Sequence, residues 1–312
     1  MMVVAGMITI GAHNYLPAIR EGLERELSFL QREGLHVDIR EERRGDMIFL
    51  GCAFPREKRI SMPRKEAEGL LRQYIANALA EVIVSHWEQS LVREIVHQHY
   101  YYFNPGEQEK ILELTYLGLN GNMEKGSGGY NYNIHRKGRI LYRLLDYLDR
   151  NNKIILDGFV RFRLKEYTKE LREVVDRSVD DMMLEKEYRE FIHLLRYFVE
   201  MQEPRRLEIH VIMAEENKYH LMDKEGETIT DDELEDMLLD LSEGEASSDD
   251  LLISALISLA PARLHLHLGT AFPNREVVGT IKKVFAGRIS ICLGCDLCRK
   301  PLIDEEEHVK PR

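Results

Sequence analysis

The chain has 312 residues, 44% hydrophobic and 31% charged, with 43 Lys and Arg against 54 Asp and Glu for a net charge of −11 at pH 7. That is enough chain for one large core or two modest ones, too apolar for an intrinsically disordered protein, and too acidic for general nucleic-acid affinity through excess positive charge. The imbalance is local: the stretch from Asp231 to Asp250 holds ten acidic residues and no Lys or Arg, and the remainder is close to neutral.

The apolar start, Met1 to Ile10, lacks a basic leader and reads as a β-strand ending near Gly11 rather than as a signal peptide, so a cytoplasmic protein is expected. A helix follows in which Leu16, Ile19, Leu23, Leu27 and Leu30 share a face and Gly34 supplies the stop. Val37–Arg40 and Met47–Ala53 then form a hairpin around Arg44-Gly45-Asp46, giving a β-α-β-β opening unit over residues 1–60.

Residues 61–203 read as a large helical middle. Pro63 stands at the first turn of a long helix in which Leu70, Tyr74, Ala78 and Val82 make one stripe and Leu71, Ile75, Leu79 and Ile83 broaden it, and Asn104-Pro105-Gly106-Glu107 is a capping-box helix start. Gly118 to Asn133 has no periodicity and is expected to be a loop, with helices resuming at Arg136. From Ile155 to Met201 apolar residues recur at three- and four-residue steps, through Phe159, Phe162, Tyr167, Leu171, Val174, Val175, Tyr188, Phe191, Ile192, Leu195, Phe198 and Val199. A helix of that length predicts a bend or break near Ser178–Asp181, where capping residues cluster.

After Pro204 the pattern alternates. Leu207–Ile212 and Tyr219–Met222 read as strands, residues 232–241 and 249–259 as helices, and Ala262–Leu268, Arg275–Phe285 and Arg288–Cys292 as a strand, helix and strand in a βαβ unit. The expected fold is therefore α+β: the β-α-β-β unit, the helical middle, a C-terminal lobe of small mixed sheet with helices over residues 204–300, and a tail at 301–312. The apolar run from Leu251 to Ala262 is far short of the roughly 20 residues that span a bilayer, so no membrane partner is expected.

The segment Phe159-Val-Arg-Phe-Arg-Leu164, followed by Glu187-Tyr-Arg-Glu-Phe-Ile-His-Leu-Leu-Arg-Tyr-Phe-Val199, resembles the helical middle of the YtxC family of sporulation proteins from spore-forming bacteria. Leu256-Ile-Ser-Leu-Ala-Pro-Ala-Arg-Leu264 and Thr280-Ile-Lys-Lys-Val-Phe285 are similar to its C-terminal part. The resemblance implies a role connected with sporulation. It brings no activity, cofactor or cysteine motif with it.

Chemistry-bearing patterns are few. Lys125-Gly-Ser-Gly-Gly129 fits neither G-x-x-x-x-G-K-[ST] nor G-x-G-x-x-G, and no G-x-S-x-G, H-E-x-x-H or EF-hand loop occurs. His97-Gln-His99 before Tyr100-Tyr-Tyr-Phe103 reads as the end of a packed helix. Arg136, Lys137, Arg139, Arg143, Arg161, Arg163 and Lys165 read as an ordinary helix surface, with a nucleic-acid face as the minor reading.

The strongest candidate is Cys292-Leu-Gly-Cys295-Asp-Leu-Cys298, because two C-x2-C spacings in series turn three thiolates towards one metal. A fourth ligand would have to be Cys52, a histidine or a second chain. His265 and His267 lie two apart on a strand and so share a face, which makes His267 a candidate for zinc. The bland alternative is three reduced thiols near a terminus without metal.

The resemblance implies a cytoplasmic sporulation-associated protein without catalytic activity, an interaction or scaffold module without cofactor that contacts a protein partner through Asp231–Asp250 or the helical middle, with self-association left open. The alternative is a regulatory or redox protein holding zinc or an iron–sulfur cluster on Cys292, Cys295 and Cys298.

Overall fold

Alternating apolar residues place β1 (Ile8–Ala12) inside a four-stranded sheet whose order is β2 (Asp38–Arg44), β3 (Met47–Ala53), β1 and β4 (Lys153–Ile155). The computed structural model describes residues 7–55, 62–120, 129–213, 219–229, 247–268, 275–292 and 294–299, the side chains of 129–134, Arg275 and Arg299 excepted. The helix expected at 232–241, most of the acidic stretch, the Lys125 segment up to residue 128 and the 301–312 tail lie outside them.

The described chain is α+β and divides into two compact units, Met1–Leu184 and Glu185–Arg312. In the first, α1 (Leu16–Arg32) follows β1, and β2 (Asp38–Arg44) and β3 (Met47–Ala53) pair antiparallel. Gly45 in their turn has φ 63°, a left-handed conformation that costs glycine nothing. β3 pairs antiparallel with β1, and β1 pairs parallel with β4 (Lys153–Ile155). Three residues carry too little alternation for β4 to be visible as a strand in sequence.

The helices of this unit are α2 (Arg64–Val82), α3 (Glu88–His99), α4 (Pro105–Leu119), α5 (Gly129–Arg150), α6 (Leu156–Arg163) and the first part of α7 (Lys165–Met201). A π-helical turn, Ile83–Trp87, joins α2 to α3. Asn104 and Glu107 exchange the two hydrogen bonds of a capping box at the start of α4. The stretch expected to be a loop up to Asn133 is shorter than the sequence suggested, since α5 begins at Gly129.

The expected interruption near Ser178–Asp181 is absent, and the helical run breaks instead at Leu164, between α6 and α7. Ser178 is buried and its hydroxyl donates to the Val174 carbonyl four residues back, at 2.9 Å, so its polar group is satisfied inside the helix rather than used as a cap.

The second unit holds a sheet of order β6-β5-β7-β8, from β5 (Arg206–Met213), β6 (Tyr219–Met222), β7 (Pro261–His267) and β8 (Ile289–Cys292). β5 and β6 are antiparallel; β7 is parallel to both β5 and β8. α8 (Ser248–Leu259) precedes β7, and α9 (Arg275–Val284) crosses from β7 to β8 as the βαβ pattern predicts. Ile209, Val211, Leu256, Leu264, Leu266, Ile281 and Phe285 form its core, together with Ile192 and Val199 of α7. No helix among the described residues is long and apolar enough to cross a membrane.

Three of the seven basic residues singled out in the helical middle meet acidic partners, and one of them, Arg136, is buried rather than on the surface. Lys137 pairs with Glu81 and Arg139 with Glu170, while Arg136 is only 2% exposed and Glu88 7%. The Arg136 guanidinium reaches Glu88 Oε2 at 2.7 Å and the Leu119 carbonyl at 3.0 Å, and the Tyr167 hydroxyl donates to the same Glu88 oxygen. Removing one partner of a buried ion pair leaves the other charge desolvated and uncompensated. Glu88→Ala is expected to destabilise the first unit by about 3–5 kcal/mol, read as a shifted urea midpoint; a loss under about 1 kcal/mol, typical of exposed pairs, would contradict this.

Candidate metal centre

Parallel pairing of β7 with β8 sets His267 directly opposite Cys292. The chain then turns so that Cys295 stands just before α10 (Asp296–Arg299) and Cys298 lies within it, three residues on and therefore on the same side of one helical turn. Gly287, with φ 85°, makes the reversal from α9 into β8 that this placement needs.

Four donor atoms converge. Cys295 Sγ and Cys298 Sγ lie 3.3 and 3.5 Å from His267 Nδ1, the two sulfurs are 3.7 Å apart, and Cys292 Sγ is 3.9 Å from Cys298 Sγ. All four ligand atoms lie within 4.8 Å of one another. Zinc–sulfur and zinc–nitrogen bonds of about 2.3 and 2.0–2.1 Å in a tetrahedron imply sulfur–sulfur separations of about 3.8 Å and sulfur–nitrogen separations of about 3.5 Å. Four of the six donor separations thus match a single tetrahedral ion, and none approaches the roughly 2.05 Å of a disulfide.

The imidazole, and not Cys52, supplies the fourth donor position. Cys52 is fully buried on β3 in the core of the first unit, where desolvation pushes its thiol up to about 12. His267 is buried, and burial, followed by the neighbouring His210 and His265, lowers its pKa. A neutral ring with a free lone pair is the ligating form.

Behind His267 runs a second layer. Its Nε2 is 2.9 Å from His210 Nδ1, and His210 Nε2 lies 3.4 Å from Glu208 Oε1. With His267 Nδ1 facing the thiols as an acceptor, its proton sits on Nε2 and points at His210 Nδ1, which leaves the proton of His210 on Nε2, towards Glu208. Every step of that chain has a donor facing an acceptor. Burial, then His265, lowers the pKa of His210 and keeps it neutral for this role.

His265, expected to share a face with His267, does so but joins the second layer. Its Nδ1 is 2.5 Å from Ser290 Oγ, and its ring stacks on His210 with centroids 4.8 Å apart and planes 14° from parallel. Its Nε2 lies 2.8 Å from Glu208 Oε1 without the alignment a hydrogen bond requires. Glu208, His210 and His265 also bring their donor atoms within 4.8 Å of one another, but nearly parallel rings do not aim two in-plane lone pairs at one point. This trio is suited to orienting His267 rather than to forming a separate tetrahedral site.

The remaining histidine-rich segment does not form the packed helix end expected of it, since His97 and His99, and Tyr101 and Tyr102 after them, are exposed. His97 and His99 close α3, His99 Nε2 lies 2.5 Å from Arg172, and the Tyr100 hydroxyl donates to Asp176.

The YtxC-like family profile matches residues 73–290. The chain belongs to that family. It is 23% identical over 233 residues to a protein of Bacillus subtilis (strain 168) named "Uncharacterized protein YtxC", covering 71% of this chain and 77% of the relative. No solved structure matches. The family match takes in Glu208, His210, His265 and His267 and ends before Cys292, so the three thiols of this YtxC-like chain lie beyond what family membership describes.

Sequence reasoning named Cys292, Cys295, Cys298 and His267, and the fold brings these four together; it missed Glu208 and His210. Their signal was present, since they stand two apart on a strand just as His265 and His267 do. The backbone N–H of Cys298, with the neighbouring thiols and the N–H of Leu297, lowers the pKa of Cys295, whereas desolvation raises that of Cys298. In chelator-treated protein near neutral pH, iodoacetamide is expected to modify Cys295 ahead of Cys298, and Cys52 only after unfolding. Peptide mass spectrometry over a time course reads the order; equal rates at Cys295 and Cys298 would contradict it.

Proposed function

We propose that this YtxC-like chain is a zinc-bound, non-catalytic protein of the cytoplasm, associated with sporulation, whose C-terminal unit is closed by one zinc ion on Cys292, Cys295, Cys298 and His267. The observation that carries the reading is the convergence of three sulfurs and one imidazole nitrogen within 4.8 Å of one another, four of their six separations falling at the 3.3–3.9 Å of a single tetrahedral ion. An iron–sulfur cluster distributes its protein ligands over several irons, which separates them more widely than four donors within 4.8 Å of one another.

Three thiolates and one imidazole fill a tetrahedron. A catalytic zinc keeps one position open for water or substrate, so this donor set supports a structural ion and, with it, a role in presenting surfaces rather than in turnover. Three reduced, closely spaced thiols suit a reducing compartment, and the link with sporulation follows the family resemblance.

Elemental analysis of protein purified under reducing conditions is expected to give one zinc per chain, lost in a variant with Cys292, Cys295 and Cys298 all changed to Ser and in His267→Ala, with a lower melting temperature in both. Metal-free wild-type protein, with unchanged melting in the triple variant, would sink the reading; iron with matching sulfide would replace zinc by a cluster.

The second layer makes a separate prediction. His210→Ala retains all four donors but removes the acceptor that holds the ring of His267, and is expected to weaken zinc binding about 10–100-fold. Competition against a chromophoric chelator measures this, and wild-type affinity in the variant would remove His210 from the site.

A further inference from the structure

The last part of α7 carries an apolar face that the core of the second unit does not use. Ile192 and Val199 are buried against that core, with Leu195 partly buried beside them. On an adjoining face, Phe191, Leu194, Phe198 and Met201 are 55, 55, 56 and 67% exposed, and Leu184 is 64% exposed one heptad earlier. Their spacings of seven, three, four and three residues are those of the a and d positions of a heptad, and Glu187 takes the d position between Leu184 and Phe191. Tyr197 flanks the seam with similar exposure.

The extent of this face decides what it fits. Six large side chains exposed to this degree present on the order of 700 Å², more than the roughly 300–600 Å² patch that soluble monomers leave open and close to the ~800 Å² per partner of a standard interface. A two-helix seam is self-complementary, because apolar knobs at a and d enter the holes between the same residues of a second helix. We infer that two copies of this chain pair through the α7 seam of Leu184, Phe191, Leu194, Phe198 and Met201. Glu187 is the polar position in that seam; it holds the affinity down while limiting which registers can form.

Sedimentation equilibrium of the full chain, from low to high micromolar concentration, tests the pairing. The wild type is expected to reach twice the chain mass of 36.5 kDa. Phe191→Glu with Leu194→Glu should be monomeric at the same concentrations with unchanged far-ultraviolet circular dichroism, because both side chains face outward from the core. Glu187→Leu completes the seam and should shift the midpoint of dimer formation to lower concentration. A wild type that stays monomeric throughout overturns the inference, as does a dimer that persists in the folded double variant, since its interface then lies elsewhere.

Discussion

β7 is flanked on both sides by parallel strands, and that pairing alone sets His267 opposite Cys292 and His265 opposite His210. The side-chain period of a strand is two, so a one-residue slip would turn both histidines to the opposite face and set Leu264 and Leu266 in their place. Leu264 and Leu266 are fully buried and hold the register from the core side. The hydrophobic pattern therefore aims the imidazoles, and Cys295 and Cys298 need only return to a position already defined by β7 and β8. With parallel neighbours on both sides β7 is deeply buried along most of its length, which accounts for a histidine being buried there.

The two units handle buried polarity differently. In the first, Glu88, Arg136 and Tyr167 satisfy one another with charge-assisted hydrogen bonds inside a core that is otherwise apolar. In the second, the buried polar group among the described residues is the ring of His267, placed between the thiols on one side and His210 on the other. A neutral imidazole costs far less to bury than an ion pair, and lone pairs directed at a common point gain most when a cation takes that point. The small apolar core of the second unit would make such a cross-link matter, because a bound ion would fasten α10 and the end of β8 to the centre of the sheet.

Much of the architecture was legible in the sequence where a local rule had one outcome. The Asn104–Glu107 box, the Gly45 turn and the alternation of Ala262–Leu268 each specify one local geometry, and each is found. The rest depended on neighbours. Ser178 has the chemistry of a cap, but it lies on the buried side of α7, where a hydroxyl bonded to the preceding turn is the satisfied state. The C-x2-C-x2-C spacing announced thiolates turned together and could not choose among Cys52, a histidine and a second chain, because that choice is made by strand order; β7 lies next to β8, and Cys52 lies in the core of the other unit. Glu208 and His210 stood in plain alternation on β5, yet their relevance comes from β5 pairing with β7 across more than fifty residues of chain.

α7 shows why periodicity alone undercounts what a helix does. The sequence groups Phe191 with Ile192 and Phe198 with Val199 as one apolar stripe, but adjacent residues on a helix point about 100° apart. The core of the second unit needs only the stripe containing Ile192 and Val199. A helix whose sole task was to cover that core would carry polar residues at 191, 194 and 198, as ordinary amphipathic helices do. Aromatic and aliphatic residues stand there instead, in heptad register and open to solvent. The excess of apolar surface is thus one that the described residues leave open, and a second helix of the same pattern would cover it with the same knobs-into-holes packing that any heptad seam uses.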